Sequence, residues 1–236
     1  MIKSDLKQNT PRFPVSPWAN QKIGIFGGTF DPIHIGHLRS VEETADRLHL
    51  DRIFLIPSAL PPHKARSDMT SFPDRLKMTR LAVEDNTLIE VLDIEGKRSG
   101  PSYSVDTLEN FRGKMGVEVN LFFLLGMDAF LDIESWHRYR RLFELARFVV
   151  FSRTENSEEK FKDLVERLQI TVATSEGKSG GPGCRTVTRI QTTLIDISST
   201  QIRRFVNQGE SIRYLVPESI RHYILKRGLY LNESGA

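Results

Sequence analysis

The feature that most constrains the fold of this chain is a series of short apolar runs separated by stretches with helical spacing. The runs are KIGIF (22–26), RIFLIP (52–57), LIEVL (88–92), VNLFFLL (119–125), RFVVF (147–151) and TLIDI (193–197). Strands flanked by polar residues on alternate positions face water on one side, whereas continuous runs such as VNLFFLL and RFVVF belong to strands buried on both faces. Between the runs lie helical patterns, with Leu38, Val41, Ala45 and Leu48 on one face and Leu76, Met78, Leu81 and Ala82 following a start at Pro73. Strand, helix, strand in repetition implies an α/β fold: a doubly wound, Rossmann-like parallel sheet with helices on both faces and ligands at the carboxyl ends of its strands.

The 236 residues suffice for one domain with a sizeable core, and 39% hydrophobic with 27% charged residues is an ordinary globular balance. Residues 1–20 are rich in proline and lack periodicity, so they read as an extension, either disordered or draped over a domain spanning 21–236. Residues 171–192 (TVATSEGKSGGPGCRTVTRIQT) read as an irregular loop. The stretch PESIRHYILKRGLY (217–230) opens with proline and carries Ile220, Tyr223 and Ile224 on one side. It ends on Lys226, Arg227 and Gly228, the punctuation of a docking helix. No apolar run is long enough to cross a membrane, and Cys184, the single cysteine, suits a reducing compartment, so the expected location is cytoplasmic.

The net charge of +3, from 33 basic against 30 acidic side chains, suits anionic small molecules better than a nucleic acid. Chemistry concentrates in GGTFDPIHIGH (27–37), directly after the first strand. Gly27 and Gly28 allow a sharp turn and close approach of backbone to a ligand. Asp31 and Pro32 suit a helix entry, and His34 and His37 then share a face near amides that attract anions. A metal site of His34, His37 and His63 competes with this reading, but no cysteine or acidic residue stands at a convincing spacing, and no protein metal ligand is expected. Near the other end, ISSTQIR (197–203) puts Ser199 and Thr200 at a helix start, available as caps, with Arg203 on the same turn.

The segments GIFGGTFDPIHIGHL (24–38) and ISSTQIR resemble the two phosphate motifs of the HxGH nucleotidyltransferases. PPHK (61–64), PSYSVDTL (101–108), GMDAF (126–130) and Trp136 extend the resemblance to the bacterial nicotinate-nucleotide adenylyltransferases, over about residues 22–230. The resemblance implies transfer of AMP from ATP to nicotinate mononucleotide, giving deamido-NAD and pyrophosphate, with Mg²⁺ accompanying the ATP and no covalent enzyme intermediate. It implies that Gly27, Gly28, Thr29, Phe30, His34, His37, Ser199, Thr200 and Arg203 hold ATP. It likewise assigns Thr29, Lys64, Ser104, Asp128, Trp136 and His137 to the acceptor nucleotide. His34, His37, Lys64 and Arg203 would then neutralise charge at the reacting phosphates. Two positions depart from the family: Ser104 replaces a threonine and keeps its hydroxyl, and His137 replaces a tyrosine, which bears on the choice between nicotinate and nicotinamide. A non-catalytic nucleotide-binding protein of the same fold is the alternative from another class. An RNA-binding module is disfavoured because no aromatic residues interleave with a basic stripe. The sequence leaves oligomeric state open.

Overall fold

The computed structural model describes residues 17–62, 69–152, 157–173 and 185–231. In chain order the elements are β1 (Lys22–Gly28), α1 (Ile35–Leu48), β2 (Arg52–Pro57), α2 (Phe72–Ala82), β3 (Ile89–Val91), α3 (Ser104–Met115), β4 (Asn120–Gly126) and α4 (Met127–Leu131). There follow α5 (Tyr139–Leu145), β5 (Arg147–Ser152), α6 (Glu158–Arg167), β6 (Thr171–Ala173), β7 (Thr186–Gln191), α7 (Ser199–Asn207) and α8 (Glu218–Arg227). The seven strands form one sheet in the order β3-β2-β1-β4-β5-β7-β6, and every pairing is parallel.

Alternation along the strands explains the continuous apolar runs. Leu121, Phe123 and Leu125 of β4 face a core shared with α3, α5 and α6, while Phe122 and Leu124 face a second core shared with α1, α2, α7 and α8. Both faces are dry, so both sets of side chains are apolar. The chain order reverses at β1: β2 lies on one side and β4 on the other, which opens a crevice beyond Gly28 and Gly126 at their carboxyl ends. Trp18, at the end of the expected extension, packs edge-on to Phe54 with ring centroids 6.3 Å apart; residues 1–16 lie outside the described residues. Among the described residues no helix is long and apolar enough to cross a membrane.

The sequence reading of the sixth strand is corrected. TLIDI (193–197) forms no strand; the ladder is made by TVTRIQ (186–191), with β6 beside it, both inside the stretch read as an irregular loop. The β-branched threonines explain this: Thr186 and Thr188 are buried beside Val187 and Ile190, a half-polar surface that suits a strand near the sheet edge. In TLIDI the Thr193 amide donates to the Glu43 carboxylate (3.0 Å) instead of a ladder, and Leu194 is 59% exposed. The remainder of that stretch, 174–184 with Cys184, lies outside the described residues.

A second correction concerns α2. Met78 is buried as expected, but beside it the helix buries Asp74, Arg75 and Thr79, while Leu81 and Ala82 pack only partly. Arg75, 1% exposed, sends Nε to the Thr70 carbonyl (3.0 Å) and Nη1 to the carbonyls of Thr29 (2.7 Å) and Ser58 (2.6 Å). Its Nη2 reaches the carbonyl of Ala59 (3.3 Å). One guanidinium thus fastens the loops after β1 and β2 to each other. Asp74 accepts from Ser71 Oγ (2.6 Å) and Tyr223 OH (2.8 Å) and pairs with Arg227 (3.4 Å), which docks α8 on α2.

Two outcomes test this arrangement. Arg75→Leu strands several buried carbonyls and is expected to cost about 3 kcal/mol or more in urea denaturation. Arg75→Lys should recover only part of this, because one ammonium cannot span the four acceptors. Burial pushes the Asp74 carboxyl up, but the Ser71 and Tyr223 hydroxyls and Arg227 outweigh it and hold it below its ordinary value. The stabilisation from Asp74 is therefore complete above the usual carboxylate range and disappears as pH falls through its lowered value. Between about pH 5 and pH 2 the wild type should lose more stability than Asp74→Asn.

Candidate active site

The glycine turn sets the geometry at the end of β1. A side chain on Gly28 would put its Cβ 2.7 Å from the Phe30 ring, so only glycine lets Phe30, itself in the left-handed region (φ 49°), fold back under the turn. His34 then takes an extended conformation (φ −144°, ψ 170°) as the residue that precedes α1. Its backbone N–H donates to His37 Nδ1 (3.3 Å), and the two imidazoles stack with centroids 3.7 Å apart. Because Nδ1 of His37 accepts, a neutral His37 carries its proton on Nε2, the nitrogen suited to donate to an anion. Phe30 meets the His37 ring edge-on at 5.4 Å and fixes its orientation.

A cavity of about 330 Å³ opens over this turn at the crevice between β1 and β4. Gly27, Gly28, Thr29, Phe30 and His37 line one part, and Ser104, Trp136 and His137 line another, so these expected residues come together in one space. Ser104 opens α3. Trp136 stands edge-on to Phe123 at 6.2 Å, and His137 stacks on Tyr103 with centroids 4.3 Å apart. Buried Ser102 steadies the wall between them, its Oγ accepting from the amides of Ala59 (3.1 Å) and Leu60 (3.0 Å).

Other expected residues lie around the cavity without lining it. His34 is buried behind His37, and Asp128 is exposed on the first turn of α4. Ser199 and Thr200 begin α7 as expected, but the cap is Ser198, whose Oγ accepts from the Gln201 amide (3.1 Å). This releases Ser199 Oγ to donate to the Pro32 carbonyl (2.9 Å). Arg203 donates to the Asp31 carbonyl (2.8 Å) and to Thr200 Oγ1 (3.3 Å), so the second motif is fastened to the first. Lys64 and His63 lie outside the described residues, and among the described residues no three potential metal ligands cluster.

The sequence reading missed the tyrosine that completes this turn. Tyr230 OH donates to Asp31 Oδ1 (2.8 Å), while Oδ2 accepts from the Thr70 amide (3.1 Å). Burial, and then the negative charge of Asp31, push the phenol well above its ordinary value, so it remains a neutral donor. Glu95 was also missed: it lines the cavity and is 5% exposed. In sequence it stands among glycine, lysine, arginine and serine, where a charged residue reads as solvated loop.

The chain is similar to known proteins over most of its length. A cytidylyltransferase-like family model matches residues 25–205. A protein of Desulfatibacillum aliphaticivorans named as a probable nicotinate-nucleotide adenylyltransferase is 44% identical over 218 residues, covering 89% of this chain and 100% of the relative. A protein of the same name from Pseudomonas syringae pv. tomato is 43% identical over 211 residues, covering 89% and 94% of the two chains. Among solved structures, the Plasmodium falciparum nicotinic acid mononucleotide adenylyltransferase complexed with NaAD superposes with a TM-score of 0.70 at 20% identity. The match covers 89% of this chain and 98% of that one, and establishes the likeness of fold. The expected Rossmann-like architecture and the two motifs joined at Asp31 and Pro32 thus have their explanation in descent: the chain belongs to the cytidylyltransferase-like family and, within it, to the nicotinate-nucleotide adenylyltransferases.

Proposed function

We propose that this protein transfers AMP from ATP to nicotinate mononucleotide, forming deamido-NAD and pyrophosphate. The observation that carries the reading is the single cavity with an imidazole and glycine-turn amides in one part and Trp136, His137 and Ser104 in another. A phosphate at the first and a pyridine ring at the second belong to one acceptor nucleotide, and both relatives' names agree with that substrate. The elements from β1 to α8 build and cover one sheet, which supports residues 21–236 acting as one catalytic domain.

The reaction asks little covalent chemistry of the protein. An oxygen of the acceptor phosphate attacks the α-phosphorus of ATP, a P–O bond forms in line with the one that breaks, and pyrophosphate leaves with the electron pair. The protein holds two anions in register and offsets the charge that accumulates. We assign this to the Nε2 proton of His37 and the amides of the 27–30 turn, with His34 holding His37 by stacking and through its own backbone N–H. Lys64 and Arg203 complete the positive field, and Ser199 and Thr200 flank the triphosphate at the start of α7. On the acceptor side, Thr29 and Lys64 meet the phosphate, Trp136 stacks the ring, Ser104 and His137 meet its carboxylate, and Asp128 serves a ribose hydroxyl.

Transfer in this family depends on a divalent metal, and we propose Mg²⁺. The cavity suits an ion that arrives on the triphosphate and keeps its waters, since its wall offers hydroxyls and amides rather than a cluster of carboxylates. The ion would neutralise triphosphate charge when bound.

Pyrophosphate release from ATP and Mg²⁺ tests the reading, with nicotinate mononucleotide, nicotinamide mononucleotide and phosphopantetheine offered in parallel. Preference for the nicotinate nucleotide is expected; preference for the amide would assign a sister activity and implicate His137. His37→Ala should reduce turnover roughly 10²-fold or more while leaving the thermal midpoint near that of the wild type. Undiminished turnover would remove His37 from the mechanism.

A further inference from the structure

The cavity contains one charged group that the proposed reaction leaves without a task. Glu95 is 5% exposed, and its Oε2 is buried with no hydrogen-bond partner among the described residues. Its other oxygen is fixed: Thr107 Oγ1 donates to Oε1 at 2.8 Å, and Arg98 Nη2 donates to Thr107 Oγ1 at 2.9 Å while standing 3.8 Å from the carboxylate. A buried carboxylate oxygen without a donor is destabilising and is retained where something else supplies the donor. Glu95 is also the only carboxylate among the described residues that line the cavity; Asp128 stands outside that lining.

The position of Glu95 narrows what that donor is. Thr107 lies one turn beyond Ser104 on α3, so Glu95 sits against the same end of the helix that leads to Ser104 and to Tyr103, the residue stacked on His137. This is the acceptor side of the cavity. At neutral pH nicotinate mononucleotide carries an ionised phosphate, an ionised carboxylate and a pyridinium ring that lacks an N–H, so its ribose hydroxyls are its hydrogen-bond donors. We infer that Glu95 is a substrate-binding residue whose carboxylate accepts a hydrogen bond from a ribose hydroxyl of the acceptor nucleotide. This assignment rests on the nicotinate nucleotide being the acceptor.

The test compares wild type, Glu95→Ala and Glu95→Gln with nicotinate mononucleotide and with its 2′-deoxy and 3′-deoxy analogues. Glu95→Gln keeps the shape and an acceptor for Thr107, so it carries the test if the alanine variant fails to fold. Its thermal midpoint should stay close to that of the wild type, because relief of the buried carboxylate is offset by the loss of the partner of Arg98. Glu95→Ala should raise KM for nicotinate mononucleotide roughly 10- to 100-fold, the range for a hydrogen bond to a charged group. Glu95→Gln should do so less, and KM for ATP should stay within about threefold for both variants. The wild type should lose a similar factor with one deoxy analogue, and the variants should lose nothing more with it. Additive losses would overturn the contact, and a change confined to KM for ATP would move it to the ATP sugar. A wild type inactive with nicotinate mononucleotide would overturn the acceptor reading and this assignment together, whereas an active wild type matched by Glu95→Ala would overturn only the role of Glu95.

Discussion

The Asp31–Pro32 turn is the joint on which the site depends. It follows a strand buried on both faces, so its position is set by the centre of the sheet, and it gathers hydrogen bonds from three remote segments. Arg203 and Ser199 reach its carbonyls from α7, Tyr230 reaches the Asp31 carboxylate from beyond α8, and the Thr70 amide reaches it from before α2. The His34–His37 pair stands immediately beyond this joint, and Arg75 ties the neighbouring loops to it from beneath. Backbone carbonyls in a dry crevice require donors, and here arginines and hydroxyls supply them from a distance.

This arrangement explains how a reaction without a protein nucleophile can be specific. The groups proposed to meet phosphate are few and stand on well-braced backbone, while the ring pocket is built from α3 and the segment between α4 and α5. The two halves belong to opposite sides of the sheet reversal at β1 and β4. A nucleotide spanning them reads both, so the distance between halves, as much as any one contact, selects the acceptor.

The sequence made β1, β2, β4 and β5 legible because strands buried on both faces are apolar almost throughout, whereas the edge strand β3 alternates, with Glu90 exposed. The sequence hid β7, whose threonines and Arg189 serve a half-polar ladder, and promoted TLIDI, whose apolar residues face solvent or fill gaps. The glycine turn and the histidine pair were legible through their spacing, although His34 meets His37 as the extended residue before α1 rather than as part of the helical face. A run of serines could not reveal that Ser198 rather than Ser199 caps α7, because each has the same chemistry and only geometry separates them. Arg75, Glu95 and Tyr230 were illegible for a shared reason: charged and phenolic side chains in loops or helix faces read as solvated until the fold encloses them.

The bond from Tyr230 to Asp31 joins positions 199 residues apart. During synthesis the β1 turn is made long before the tyrosine that completes it, so a growing chain carries the phosphate-binding sequence for most of its production without the finished turn. Completing the turn therefore requires closing a loop that spans most of the chain, an entropic cost that its local glycine geometry does not carry.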